Sequence, residues 1–171
     1  MNNTYTRYLF ASILLWMWAG VCMADVKQAE LKTGMVAPDW MMQDINGNSY
    51  SLYAELEKGN RVVMVFWASW CKFCRELMPD IGLFKKSLAD DTVKFFAMNI
   101  WEDGDPVAYF DSKNIQVPLI LKADALAKRY AIDGTPGVVF VGLDKKIKYV
   151  RHNDEDTTAV MRRLQTLVLQ Q

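Results

Sequence analysis

Val62-Val63-Met64-Val65-Phe66-Trp67-Ala68-Ser69-Trp70-Cys71-Lys72-Phe73-Cys74 is the stretch that decides the reading of this chain. Its first six residues are β-branched, aromatic or otherwise apolar, the pattern of a buried strand. That strand delivers a Cys-x-x-Cys to the start of a segment with helical period. Residues three apart share one face of a helical turn. The two Cα atoms then stand about 5–6 Å apart, within reach of a disulfide. The first sulfur sits at the helix N-terminus, where free N–H groups and the dipole favour a thiolate. Cys71 and Cys74 are therefore read as a dithiol/disulfide switch. Two plainer readings compete. A structural zinc site usually needs four Cys or His ligands, and only His152 could join the pair. A purely structural disulfide closing so short a loop would constrain the unfolded chain little.

The chain has three cysteines in all, and Cys22 lies in a leader. Residues 1–24 carry a single charged side chain, Arg7, followed by an uncharged stretch from Tyr8 to Ala24 that ends in Cys22-Met23-Ala24. That is the pattern of a secretory signal peptide cut before Asp25. An uncleaved membrane anchor is the alternative, since the stretch is near the short limit for a span. Lipid attachment at Cys22 is a weaker third reading, because Val21 is bulky. Each exports the domain and leaves Cys71 and Cys74 as an even pair in an oxidising compartment. Residues 25–33 read as a tether and 34–171 as one domain, long enough for a real core. Lys plus Arg (20) equals Asp plus Glu (20), so no net field points to nucleic acid or anionic lipid.

The remaining pattern alternates. Trp40–Asp44 and Asn48–Leu52 flank Ile45-Asn46-Gly47 as a hairpin. Cys71–Leu88 is helical, with Leu77, Ile81, Phe84 and Leu88 on one stripe. Val93–Ile100 reads as a strand. Asp105-Pro106 opens a helix, with Asp as cap and Pro in first position. Val117–Leu121 is a short strand and Ala123–Tyr130 a helix. Val138–Val141 and Ile147–Val150 form a second hairpin, and Thr157–Leu169 a closing amphipathic helix. These elements predict an α/β domain with a mixed central sheet flanked by helices, plus an N-terminal β-hairpin.

With these motifs in order, the chain resembles the thioredoxin superfamily, and within it the exported TlpA-like (ResA-like) branch of thiol-disulfide oxidoreductases. The anchors are Gly34-Met35-Val36-Ala37-Pro38-Asp39-Trp40, the run Phe66-Trp67-Ala68-Ser69-Trp70-Cys71 with Cys74-Arg75, Met78-Pro79, and Gly134-Thr135-Pro136. The resemblance implies a thioredoxin-like fold and no cofactor beyond the Cys71–Cys74 disulfide. Cys71 would attack and Cys74 resolve the mixed disulfide. Lys72 would favour the Cys71 thiolate, Trp70 would cover the sulfurs, and Phe73 would shape the partner surface. The resemblance further implies a cis Thr135–Pro136 bond, Pro136 against the disulfide, and Thr135 pairing backbone-to-backbone with a client.

Three departures from that branch stand out. Phe73 occupies the motif position usually held by proline. Leu77 stands where a glutamate is frequent, and Glu76 beside it is better matched to a surface ion pair with Lys72. Val65 replaces the carboxylate that thioredoxins bury in this strand. Glu102, in the loop Trp101-Glu102-Asp103-Gly104, is the remaining candidate proton acceptor for Cys74, because ligand sites gather at such strand ends.

The leading functional expectation is an exported, monomeric disulfide reductase. Its clients would be envelope proteins such as an apocytochrome c, and a membrane thiol donor would recharge it. An oxidase or isomerase of the same fold is the alternative. Only about 30 residues separate Ile100 from Tyr130, too few for the helical insertion of dedicated oxidases. A copper carrier using Met41, Met42 and the cysteines is the remote third reading. No resident metal is expected.

Overall fold

The computed structural model describes residues 31–88, 92–151 and 155–169. The expected leader, most of the tether, and His152 lie outside the described residues. Among those described, no helix is long and apolar enough to cross a membrane.

Two short strands, β1 (Met41–Gln43) and β2 (Ser49–Ser51), pair antiparallel as the expected hairpin. Asp44 builds its turn: the carboxylate accepts the Asn46 and Asn48 backbone N–H groups, both at 2.9 Å. Gly47 closes it at φ +82°, a conformation that costs glycine nothing. A helix the sequence pattern did not reveal follows directly, α1 (Leu52–Glu57), with the Ser51 hydroxyl accepting from Ala54 N–H at 3.3 Å. Six residues are too few for a 3.6-residue period to stand out.

The chain then runs through β3 (Arg61–Trp67), α2 (Lys72–Ser87), β4 (Val93–Asn99), α3 (Pro106–Lys113), β5 (Leu119–Ile120), α4 (Asp124–Arg129), β6 (Gly137–Val141), β7 (Ile147–Val150) and α5 (Thr157–Leu169). The five-stranded sheet has the order β5-β4-β3-β6-β7, parallel from β3 to β5 and antiparallel from β3 through β6 to β7. Strand β3 is central, which is why its sequence shows no polar alternation. Val63, Val65 and Trp67 face a core built with α2, α3 and α5, while Val62, Met64 and Phe66 face one built with α1, α4 and Trp40. This is the layered, mixed-sheet architecture expected. Strand β5 is shorter than the run Val117–Leu121, because Pro118 has no N–H to donate and pairing starts at Leu119.

A proline inside α2 fixes how α3 docks. Pro79 cannot donate to the carbonyl four residues back, that of Arg75. The Tyr109 hydroxyl of α3 supplies the missing donor, at 2.9 Å from Arg75 O. The Arg75 guanidinium lies 5.8 Å from the same ring. Behind them the Trp67 ring packs at 5.5 Å from Tyr109 and 5.0 Å from Phe110.

Candidate redox site

The C-terminal ends of β3 and β4 and the start of β6 converge on Cys71. Beyond β3, Cys71 N–H donates to Ala68 O at 3.2 Å, closing the turn that starts α2. Cys71 is the N-cap of α2, and its Sγ accepts the Cys74 N–H at 3.1 Å. One of the donors left free at a helix start is thus aimed at the sulfur itself. The two cysteines are disulfide-bonded, with Cα atoms 5.2 Å apart. Cys71 is 5% exposed and Cys74 not at all. In the oxidised protein both sulfurs are thus largely shielded, the outer one slightly less.

The flanking residues divide. Lys72 is exposed in the first turn of α2, which contains no acid. Among the described residues no ion pair joins Lys72 to Glu76, contrary to expectation. Two exposed long side chains gain little by holding one geometry in water. Trp70 is half exposed, and its indole N–H donates to Trp101 O at 2.7 Å. Phe73 projects at 56% exposure.

The antiparallel register sets Gly137 opposite Phe66, so Pro136 falls beside the end of β3 that leads into Cys71. The Thr135–Pro136 peptide is cis, and Pro136 is buried. Gly137 is required by space: a Cβ there would meet Ile132 Cγ2 at 2.8 Å and Phe66 Cβ at 3.3 Å. Arg151, which sequence reasoning missed, anchors this corner. Its Nη1 donates to Pro136 O at 3.0 Å and its Nη2 to Glu155 O at 2.7 Å.

Glu102 lies beside the redox loop because the parallel register puts Asn99 level with Trp67. Its carboxylate accepts Ser69 N–H at 2.8 Å, Ser69 Oγ–H at 2.7 Å, Asn99 Nδ2–H at 2.6 Å and Gly104 N–H at 2.9 Å. Burial pushes its pKa up, but these donors outweigh burial and hold it below the ordinary glutamate value. A carboxylate so engaged is a weak base, and the geometry fits a latch between two loops better than a proton acceptor for Cys74. Val65 and Leu77, where related proteins place acids, are both apolar core. Among the described residues the acids buried most deeply, Asp44 and Glu55, belong to the hairpin turn and to α1. Met42 packs on the core while Met41 is exposed.

Residues 32–166 match the sequence model of the Redoxin family. Thioredoxin-like protein YneN of Bacillus subtilis is 27% identical over 114 residues, which are 64% of this chain and 65% of that protein. The chain thus spans slightly less than two thirds of that relative. The thiol-disulfide oxidoreductase ResA of Bacillus cereus is 24% identical over 149 residues, 82% of this chain and 85% of that one. Among solved structures, a thiol:disulfide interchange protein described as DsbE from Chlorobium tepidum superposes with a TM-score of 0.71 at 20% identity, covering 82% of this chain and 98% of that one. StoA from Bacillus subtilis gives 0.61 at 22% identity, covering 74% and 96%. The mixed five-stranded sheet flanked by helices agrees with these likenesses. The chain belongs to the Redoxin family, as a TlpA/ResA-like member of the thioredoxin superfamily.

Proposed function

We propose that this thiol-disulfide oxidoreductase is exported and acts as a reductase of envelope client proteins, an apocytochrome c being one client that would fit. The observation that carries the reading is the asymmetry of the pair: Cys71 Sγ accepts a helix N-terminal N–H and has some exposure, and Cys74 has none. In the reduced protein the Cys71 thiolate attacks one sulfur of a client disulfide, forming a mixed disulfide and releasing a client thiolate. Cys74 then attacks Cys71 Sγ and expels the second client sulfur; the released thiolates carry off the proton of Cys74. Two electrons and the Cys74 proton pass to the client, and water supplies the second proton that completes the client dithiol. An oxidising compartment returns the protein to the disulfide, so a membrane dithiol must supply two electrons for each turnover.

Residues around the pair take supporting roles in this scheme. Thr135 presents backbone to the client, Pro136 shapes the floor, and Trp70, Lys72 and Phe73 form the rim. Glu102 positions the redox loop through Ser69. Equilibration of the protein with glutathione buffers tests the direction of electron flow. A potential near about −270 mV is expected for a reductase, and one near about −120 mV would assign the protein to the oxidases.

A further inference from the structure

We propose that Trp101 is a specificity-determining residue: with Trp70 it forms an aromatic wall that receives a bulky apolar side chain next to the client's cysteine. The proposal rests on the reductase reading above and adds the class of client segment that the site prefers.

The tryptophans of the described domain fall into two pairs. Trp40 and Trp67 are 3% and 0% exposed, as large rings in a core should be. Trp70 and Trp101 are 51% and 42% exposed, and these two are joined to each other, Trp70 Nε1 donating to Trp101 O at 2.7 Å. The carbonyl acceptor brings the Cα of Trp101 within one residue's span of the Trp70 ring. One half-exposed indole is therefore anchored on the backbone of the residue that carries the other, at the edge of the redox loop.

The backbone at Trp101 adds an independent observation. Its φ is +49°, the left-handed region that a bulky side chain rarely enters. Glycine or asparagine would take that conformation with less strain. Among the described residues the indole stacks on no other aromatic ring. The conformation is instead held from outside: Asp124 Oδ1 accepts Trp101 N–H at 2.9 Å, Trp70 holds its carbonyl, and the neighbouring Glu102 is tied to Ser69. Strain kept up by several anchors at the rim of a reactive centre marks a preorganised contact.

The occupant follows from the sulfur chemistry. Cys71 is 5% exposed, so a client sulfur must come down close to the rim, and the residues beside the client's cysteine land on it. Phe73, also exposed, extends the apolar character of this edge, and the first turn of α2 offers no acid. An extended client segment with a large apolar residue next to its cysteine fits that surface. A charged or small neighbour leaves the rings wet.

The test uses the whole purified protein, reduced and freed of reductant, against symmetric disulfide dimers of two short peptides. The peptides differ only in the residue after cysteine, phenylalanine in one and serine in the other. Each reaction converts the protein dithiol and one peptide disulfide into the protein disulfide and two peptide thiols. The wild-type protein is expected to react about tenfold faster with the phenylalanine peptide. Trp101→Gly should bring that ratio close to one while thermal stability is kept or raised, because glycine relieves the backbone. Trp101→Phe should restore most of the ratio. The proposal is overturned if Trp101→Gly slows both peptides alike, or lowers stability with the ratio intact. It is equally overturned if the substitution abolishes a concentration-dependent dimer without changing selectivity, which would assign the wall to self-association. Transfer to both peptides without preference in the wild type sinks this inference alone. No transfer to either one sinks the reductase reading as well.

Discussion

At the entry to β3 the Glu55 carboxylate accepts the Lys58 ammonium at 2.7 Å and the Asn60 side-chain amide at 2.8 Å, whereas at its exit Glu102 meets only neutral donors from Ser69, Asn99 and Gly104. Burial opposes ionisation of both, and in both the hydrogen bonds outweigh it, so each stays below the ordinary glutamate pKa. What differs is the tethered segment. Glu55 closes the turn between α1 and β3, at the far end of the strand from the disulfide. Glu102 ties the loop carrying Trp70 and Cys71 to the loop carrying Trp101. One device, a satisfied carboxylate at a strand end, serves stability at one end and positions the chemistry at the other.

Substituting each carboxylate by its amide is the sharpest way to break that contrast. In Glu102→Gln the new NH₂ cannot accept from Ser69, and leaving that part-buried donor unpaired costs about 1 kcal/mol. Loosening the redox loop should slow exchange with a protein disulfide at least about tenfold, since small misplacements of a reacting group are costly. Glu55→Gln should lower stability by about 1 kcal/mol and leave exchange within about twofold. Equal losses of exchange would show that the two ends are not specialised.

Acid titration refines the same comparison with a smaller effect. A carboxylate whose folded pKa lies below its unfolded value, about 4.3 for glutamate, contributes stability that is complete above that value. The contribution is lost as pH falls through the folded pKa. Wild-type stability should therefore decline below about pH 4.5, and either amide variant should decline less steeply in that window. Identical slopes in wild type and Glu102→Gln would mean that the latch is not an ionised carboxylate. The smallest expected effect is that of Tyr109→Phe, which removes the donor to Arg75 O. It should lower the denaturant midpoint by the equivalent of about 1 kcal/mol, with exchange little changed. A loss of exchange comparable to that of Glu102→Gln would place the α2–α3 contact inside the positioning machinery.

The parts of this molecule that were legible in the sequence are those set by local pattern. The unbroken run Val62–Trp67, the Asp105-Pro106 helix start and the helix Thr157–Leu169 each carry their own signal within a few residues, and each formed as expected. Helix α1 escaped because six residues hold less than two turns. The Lys72–Glu76 pair was expected from helical spacing alone, but spacing permits a contact without making it worth its entropy. Glu102 could be located at a strand end, yet its partner Ser69 is 33 residues away and is brought close only by the parallel register. The same holds for Arg151, which reaches Pro136 O across the β6–β7 hairpin. The left-handed backbone at Trp101 has no sequence signature, since the residue there is one that ordinarily avoids it.

The asymmetric pair itself is tested most directly by trapping. Cys74→Ser and Cys71→Ser variants of the whole protein would be expressed in cells, and envelope extracts compared by non-reducing electrophoresis. Cys74→Ser keeps the attacking thiolate without its resolving partner, so it should accumulate adducts with client proteins that disappear on thiol treatment. Cys71→Ser should yield none, because Cys74 has no exposed surface. Adducts formed equally by both variants, or by neither, would contradict the assignment of Cys71 as the nucleophile and Cys74 as the resolving thiol.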